Sequence, residues 1–117
     1  MDKIDPRLED VMEAISRKDF PRAIALLAPL EKEGVPDAFT NLAFLYSQGL
    51  GVPADGPKAV EIYKKAIALG SGLAAHNLGT LYVTGARGLE RDPQLGKSYF
   101  RKARSMGCQL ADDKFYE

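Results

Sequence analysis

The sequence predicts an all-α fold, an α/α superhelix in which antiparallel helix pairs stack into a right-handed solenoid. Residues 41–70 recur as residues 77–107, so a period of about 36 residues governs most of the chain. Within each copy, apolar residues recur at the three- and four-residue spacing of an amphipathic helix. Proline and glycine stand where the helices should begin and end. A fixed period of this length is typical of helical repeat arrays.

Six long helices and a short last one follow from this pattern. Their expected spans are 6–17, 21–33, 37–48, 57–69, 73–84, 93–106 and 109–116. Asp5 and Asp92 each precede a proline, so a carboxylate can cap the helix while proline takes the first helical position. Gly34, Gly70 and Gly107 each end an apolar run, as a left-handed residue after a helix does.

Each helix of the two copies carries one apolar stripe. The stripes of the first helices are Ala38, Leu42, Leu45, Tyr46 and Ala74, Leu78, Leu81, Tyr82; those of the second helices are Ala59, Ile62, Tyr63, Ala66 and Gly96, Tyr99, Phe100, Ala103. The small pairs Ala43/Gly79 and Ala59/Gly96 predict close helix crossings, because larger side chains would hold the backbones apart. In the N-terminal pair, four residues should pack on the second helix: Leu8, Val11, Met12 and Ile15.

The predicted organisation is a single helical-repeat domain over residues 1–117. A degenerate helix pair occupies residues 1–35 and acts as a cap. Two full repeats occupy residues 36–71 and 72–108, and a capping helix fills residues 109–117. A chain of this length can bury a core of its own.

The repeated motif reads Asn-Leu-small-x-Leu-Tyr-x-x-Gly, then a glycine-rich loop to Asp, then Ala-x-x-x-Tyr-x-Lys-Ala and a closing glycine. It resembles the Sel-1-like repeat, a relative of the tetratricopeptide repeat, over residues 20–111. The resemblance implies an α/α superhelix that serves as an adaptor and holds partners largely on its concave side. The chain departs from the family pattern at Ala43 and Gly96, at the extra residue in the loop 85–88, and at Arg104.

Composition argues against several other classes of function. The formal net charge is zero, which offers no global field to attract nucleic acid or an anionic membrane. The first twenty residues mix both charges without an apolar run of signal-peptide or membrane-span length, so we expect a cytoplasmic protein. Residues 1–37 hold nine acidic against six basic side chains and residues 70–105 six basic against two acidic, which predicts two solvated faces of opposite sign.

No catalytic or metal-binding constellation is visible in the sequence. His76 and Cys108 are the single histidine and cysteine, and acid–base or nucleophilic catalysis needs a positioned partner for either. The glycines of residues 49–51 and 85–88 lack the preceding strand and the Lys-Ser/Thr pair of phosphate-binding loops. We therefore predict a protein that is not an enzyme and uses no cofactor or metal.

A stack of helix pairs lines a curved groove with its first helices. Residues of these helices that lie off the apolar stripes should face the groove and bind the partner: Thr40, Asn41, Phe44, Ser47, His76, Asn77, Thr80 and Val83, with Lys114 from the last helix. Phe44 is the expected anchor, because it is a large apolar side chain off the stripe. This uncharged mix suits an extended peptide or a protein loop, whereas nucleic acid calls for convergent Lys and Arg.

Asn41, Asn77 and Lys114 share one position of the repeat. A side-chain amide can bond a peptide backbone, or it can bond within the repeat itself, and the sequence leaves both readings open. In related tetratricopeptide proteins, residues matching Asn77 and Lys114 help to clamp a C-terminal carboxylate. The match is partial here, because the other clamp positions lack the expected polar group.

We interpret the chain as a cytoplasmic adaptor or scaffold that binds another protein or an extended peptide through this groove. The alternative is an immunity protein that blocks a cognate bacterial toxin. The unfinished last unit predicts a monomer, or a weak dimer that pairs through the exposed repeat ends.

Overall fold

The computed structural model describes residues 5–108 and residue 110. It contains six α-helices: α1 (Arg7–Ser16), α2 (Phe20–Lys32), α3 (Pro36–Gln48), α4 (Gly56–Ala68), α5 (Gly72–Thr84) and α6 (Pro93–Ser105). Apart from one isolated bridge between Ala86 and Leu89, these residues hold no β-structure. The all-α helical repeat architecture is confirmed, and the helix expected over 109–116 lies almost wholly outside the described residues.

Consecutive helices form three antiparallel pairs, α1–α2, α3–α4 and α5–α6, which are joined by short connections and packed along their lengths. Pair stacks on pair through α2 against α3, α4 against α5, and α3 against α5. We call α1, α3 and α5 the first-helix layer and α2, α4 and α6 the second-helix layer. The surface considered below belongs to the first-helix layer.

Two apolar clusters form the core. One lies between the two full repeats and consists of Ala43, Ala59, Val60, Ile62, Tyr63, Ala66, Ala74, Leu78, Leu81 and Tyr82. The other joins the N-terminal pair to α3 and consists of Leu8, Val11, Ala14, Ala23, Leu27, Leu30, Ala38 and Leu45. The expected packing of Met12 is wrong, because its side chain is 57% exposed. Leu8, Val11 and Ala14 define the buried face of α1, and Met12 is turned away from it.

Side-chain oxygens cap four of the helices. Asp92 accepts the N–H of Leu95 at 3.1 Å, with Pro93 next to it in the first turn, as expected. The expected cap at Asp5 is displaced, because Pro6 takes the cap position and the Asp5 carboxylate accepts the N–H of Arg7 at 2.9 Å. The other capping residues are Asp19, Asp55 and Ser71.

The helices also end as expected. Gly70 follows α4 with a left-handed φ of 101°, and the N–H of Ser71 turns back to the carbonyl of Ala66 at 3.0 Å. This arrangement satisfies carbonyls that the end of a helix leaves unpaired. Gly34 and Gly107 adopt the same left-handed conformation after α2 and α6.

The close crossing expected at Gly79 and Gly96 is confirmed between α5 and α6. A Cβ placed on Gly79 would lie 2.9 Å from the carbonyl oxygen of Gly96 and 2.8 Å from Cδ1 of Phe100. One placed on Gly96 would lie 2.8 Å from the carbonyl oxygen of Gly79. The two backbones are therefore in direct contact, and neither position has room for a methyl group.

Candidate functional site

Two adjoining clefts open on the first-helix layer. The large cleft, about 300 Å³, is lined by Leu8, Met12, Asp37, Thr40, Asn41, Phe44, Leu73 and Asn77. The small cleft, about 110 Å³, is lined by Phe44, Ser47, Gln48, Tyr63, Asn77, Thr80, Leu81 and Thr84. Phe44 from α3 and Asn77 from α5 border both clefts, so they form a ridge between two neighbouring depressions.

Exposed apolar side chains gather around the large cleft. Phe44 is 39% exposed, Leu73 43% and Met12 57%, and each comes from a different helix of the first-helix layer. Only three other large apolar side chains of the described residues are exposed, those of Leu69, Leu95 and Leu110. An exposed apolar cluster with a few polar groups in a concave setting is the usual composition of a binding site.

Asn41 makes a hydrogen bond inside its own repeat, whereas Asn77 bonds Tyr63 of the preceding repeat. The side-chain Nδ2 of Asn41 donates to the carbonyl of Asp37 at 2.8 Å. Burial raises the pKa of the Tyr63 hydroxyl to about 12, and its hydrogen bonds with Ser47 and Asn77 oppose part of that rise. Because an amide has two N–H donors and a carbonyl acceptor, both asparagines keep hydrogen-bonding capacity toward the clefts.

Thr40 lines the large cleft and Ser47 lines the small cleft, but only 4% and 9% of these residues is exposed, so each offers little surface to a partner. The Thr40 hydroxyl donates to the carbonyl of Pro36 at 3.2 Å and also bonds the hydroxyl of Ser71 at 3.0 Å. Ser47 donates to the carbonyl of Phe44 at 2.8 Å. A small hydroxyl tolerates burial when a helix carbonyl or a second hydroxyl satisfies it.

Thr80 is exposed and lines the small cleft, as expected, whereas His76 and Val83 line neither cleft. Both are half-buried on the side of α5 that faces α6: the His76 ring centroid lies 5.2 Å from that of Phe100, and Val83 lies beside Gly96. Burial lowers the pKa of His76, which favours its neutral form. Lys114 lies outside the described residues.

Charge is separated between the two helix layers. The three helices of the first-helix layer carry four carboxylates and one guanidinium, and those of the second-helix layer carry nine Lys and Arg side chains against two carboxylates. Among the residues that the structure describes, Asp37 is the one carboxylate lining either cleft, and no Lys or Arg lines them. The charge asymmetry expected along the sequence is therefore also an asymmetry between two faces of the molecule.

Sequence reasoning missed Met12 and Asp37 as groove residues. For Asp37 a signal was present, because Asp37, Asn41, Phe44 and Gln48 follow the i, i+4, i+7 and i+11 spacing of one helix stripe. For Met12 the signal was ambiguous. Met12 lies one position beyond the buried stripe of α1, where an apolar residue fits either an exposed position or a wider buried face of the helix.

Other chemical features of the described residues are few. No group of three or more His, Cys, Asp or Glu side chains within residues 5–108 is placed to hold a metal ion. The thiol of Cys108 is half-buried beside Gly72, and burial raises its pKa. No helix of the described part of the chain has both the length and the apolar character that crossing a bilayer requires.

Comparison with known proteins identifies the repeat. The family model of the Sel1 repeat matches residues 36–71 and 72–108. The Sel1-repeat-containing protein YjcO of Escherichia coli K12 is 31% identical over 105 residues, which cover 85% of this chain. Chitin synthase regulatory factor 3 of Schizosaccharomyces pombe is 31% identical over 87 residues, which cover 74% of this chain.

Solved structures show the same fold. A Sel1 repeat protein from Oxalobacter formigenes superposes with a TM-score of 0.68 at 25% identity and covers 86% of this chain and 40% of its own. A protective antigen of uropathogenic Escherichia coli gives a TM-score of 0.64 at 26% identity, over 75% of this chain and 19% of its own. The chain also spans only 46% of YjcO and 9% of the chitin synthase regulatory factor.

Proposed function

The chain belongs to the Sel1 repeat family, and from this premise we propose that it is a non-catalytic adaptor that binds a peptide or protein segment through the clefts of its first-helix layer. Sel1 repeat proteins are generally helical protein-interaction modules. The groove role of Asn41, Phe44, Asn77 and Thr80, and the placement of the protein in the cytoplasm as one domain, belong to this proposal.

The position of Phe44 carries the proposal. Its ring borders both clefts, is 39% exposed, and belongs to neither cluster of the core. A large aromatic side chain that is open to solvent in a concave surface is a typical hot spot of protein interfaces, and its truncation costs on the order of 2 kcal/mol of binding free energy or more. The stability of the fold gives no comparable reason for an aromatic residue here.

A stoichiometric role is more consistent with the described residues than catalysis. His76 packs against Phe100 and lines neither cleft, and Cys108 is half-buried with a thiol pKa that burial raises, so neither side chain is placed in the clefts as a general base or a nucleophile. The immunity-protein alternative would use the same clefts, and no contact within residues 5–108 favours it over the adaptor.

The test replaces the exposed ring by a charge. Phe44→Arg should abolish recovery of the native partner from host extract, because a guanidinium on the ridge would block both clefts. The matched control is Leu69→Arg, which changes a side chain of similar exposure, 46%, at the end of α4. Circular dichroism should show that both variants remain folded. Partner recovery that survives Phe44→Arg, or that is lost equally in Leu69→Arg, contradicts the proposal.

A further inference from the structure

We infer that the partner segment is an extended, cationic stretch of polypeptide: a large apolar side chain fills the large cleft, a small side chain fills the small cleft, and a Lys or Arg lies beside Asp37. The inference rests on the proposed function, because it assigns the chemistry of the ligand to the same clefts. It follows from the sizes of the clefts, the polar groups on the ridge and the distribution of charge.

The sizes of the clefts set the order of side chains. At about 300 Å³ and with apolar walls from Leu8, Met12, Phe44 and Leu73, the large cleft can take a large aliphatic or aromatic side chain. At about 110 Å³, the small cleft has room only for a small one. In an extended chain, side chains two residues apart point to the same side at a spacing of about 7 Å, which suits two depressions separated by one ridge.

The ridge supplies groups for the ligand backbone. Asn77 borders both clefts, so its amide lies where the residue between the two inserted side chains would cross. That residue presents a backbone N–H and C=O, which lose solvent on binding and need partners. The Asn77 side chain hydrogen-bonds the hydroxyl of Tyr63, a residue that is only 2% exposed. An amide oriented in advance binds a backbone at a lower entropic cost than a mobile one.

The charge of the groups that line the clefts predicts a cationic ligand. The Asp37 carboxylate lines the large cleft, and no hydrogen bond or ion pair of the described residues engages it. By contrast, the carboxylates of Asp5 and Glu33 pair with Arg7. Because no Lys or Arg among residues 5–108 lines either cleft, an acidic segment would meet only the like charge of Asp37 from these residues, whereas a Lys or Arg gains a partner. The acidic first-helix layer would also attract a cationic segment from a distance.

The experiment selects binders from a displayed library of random octapeptides that is flanked on both sides by Gly-Ser, so that no free carboxylate is present. The native protein should enrich segments that carry a large apolar residue, a small residue two positions away and a neighbouring Lys or Arg. Asp37→Asn should lose the basic preference, and Asp37→Lys should replace it by Asp or Glu. Asp10→Lys is the control, because this exposed carboxylate of α1 lines neither cleft.

Affinities complete the test. A selected segment, synthesised with a fluorophore, should bind about tenfold more weakly to Asp37→Lys than to the native protein. This difference in affinity should shrink as the salt concentration is raised, because salt screens the charges. Enriched segments that need Phe44 but prefer acidic residues, or show no preference for charge, overturn this inference and leave the proposed function standing. A selection in which no segment depends on Phe44 overturns both.

Discussion

The crossing of α5 and α6 gives a sharp prediction: Gly79→Ala should destabilise the protein although it removes a glycine from a helix. Intrinsic helix propensity alone favours alanine by about 1 kcal/mol. The added methyl, however, would lie 2.9 Å from the carbonyl oxygen of Gly96, whereas ordinary contacts begin near 3.4 Å. The helices must therefore separate by about 0.5–1 Å, and overpacking of this kind costs about 1–3 kcal/mol. Because the separation also loosens the buried ring of Phe100, we expect a net loss of about 1–2 kcal/mol.

Urea unfolding followed by circular dichroism measures this loss, and the slope of the transition should not change. Thr80→Ala is the matched control, because it gives the neighbouring, exposed position of α5 a somewhat smaller gain in helix propensity without a clash, and it should leave stability unchanged or slightly higher. The double variant Gly79→Ala/Gly96→Ala should lose less unfolding free energy than the two single variants lose together, because one separation of the helices accommodates both methyl groups. A Gly79→Ala protein as stable as the native one would show that the two backbones are not in contact.

Two further predictions concern polar contacts. Ser71→Ala should cost about 1–2 kcal/mol in urea unfolding, more than Asp92→Ala, because Ser71 both caps α5 and bonds Thr40 across the repeats, whereas Asp92 only caps; equal losses would show that the bond to Thr40 contributes nothing. Arg7 lowers the pKa of Glu33 below its usual 4.5, so their pairing stabilises the fold above that pH and the contribution disappears as the pH falls through the lowered pKa. Arg7→Gln should therefore reduce stability slightly at neutral pH and low salt and not in strong acid, and a deficit that persists in acid would contradict this account.

The sequence predicted the helices and most of the core because both follow from local rules. The stripe of Ala74, Leu78, Leu81 and Tyr82 has the spacing of one helix face, and all four side chains are buried. Proline after a capping carboxylate marks the first turn of a helix, and glycine after an apolar run marks its end. Pro93 and Gly70 take these two places in the structure. Even the crossing of α5 and α6 was predictable, because glycine in a helix interior costs stability unless a neighbour requires the space.

The candidate binding surface was harder to predict, because it depends on distances across the fold. Thr40 and Ser47 have the polarity of surface residues. The buried Thr40 hydroxyl bonds the local carbonyl of Pro36 and also the hydroxyl of Ser71, a partner 31 residues away that local rules do not reveal. The separation of charge between the layers is equally non-local. Counting charge along the chain divides it into an acidic start and a basic end, whereas the helices alternate between layers and redistribute it.

The shape of the clefts follows from the stacking of the repeats more than from any single helix. The large cleft takes its walls from α1, α3 and α5, so a shift of one pair against the next changes its width. Two contacts oppose such a shift: the bond between Thr40 and Ser71, and the 2.8 Å hydrogen bond from the N–H of Gly56 to the carbonyl of Arg87. The second joins the start of α4 to the loop of the next repeat, and neither Gly56 nor Arg87 lines a cleft. If the proposed function holds, residues outside the clefts would set the affinity for the partner, because they fix the distance between the helices that form the clefts.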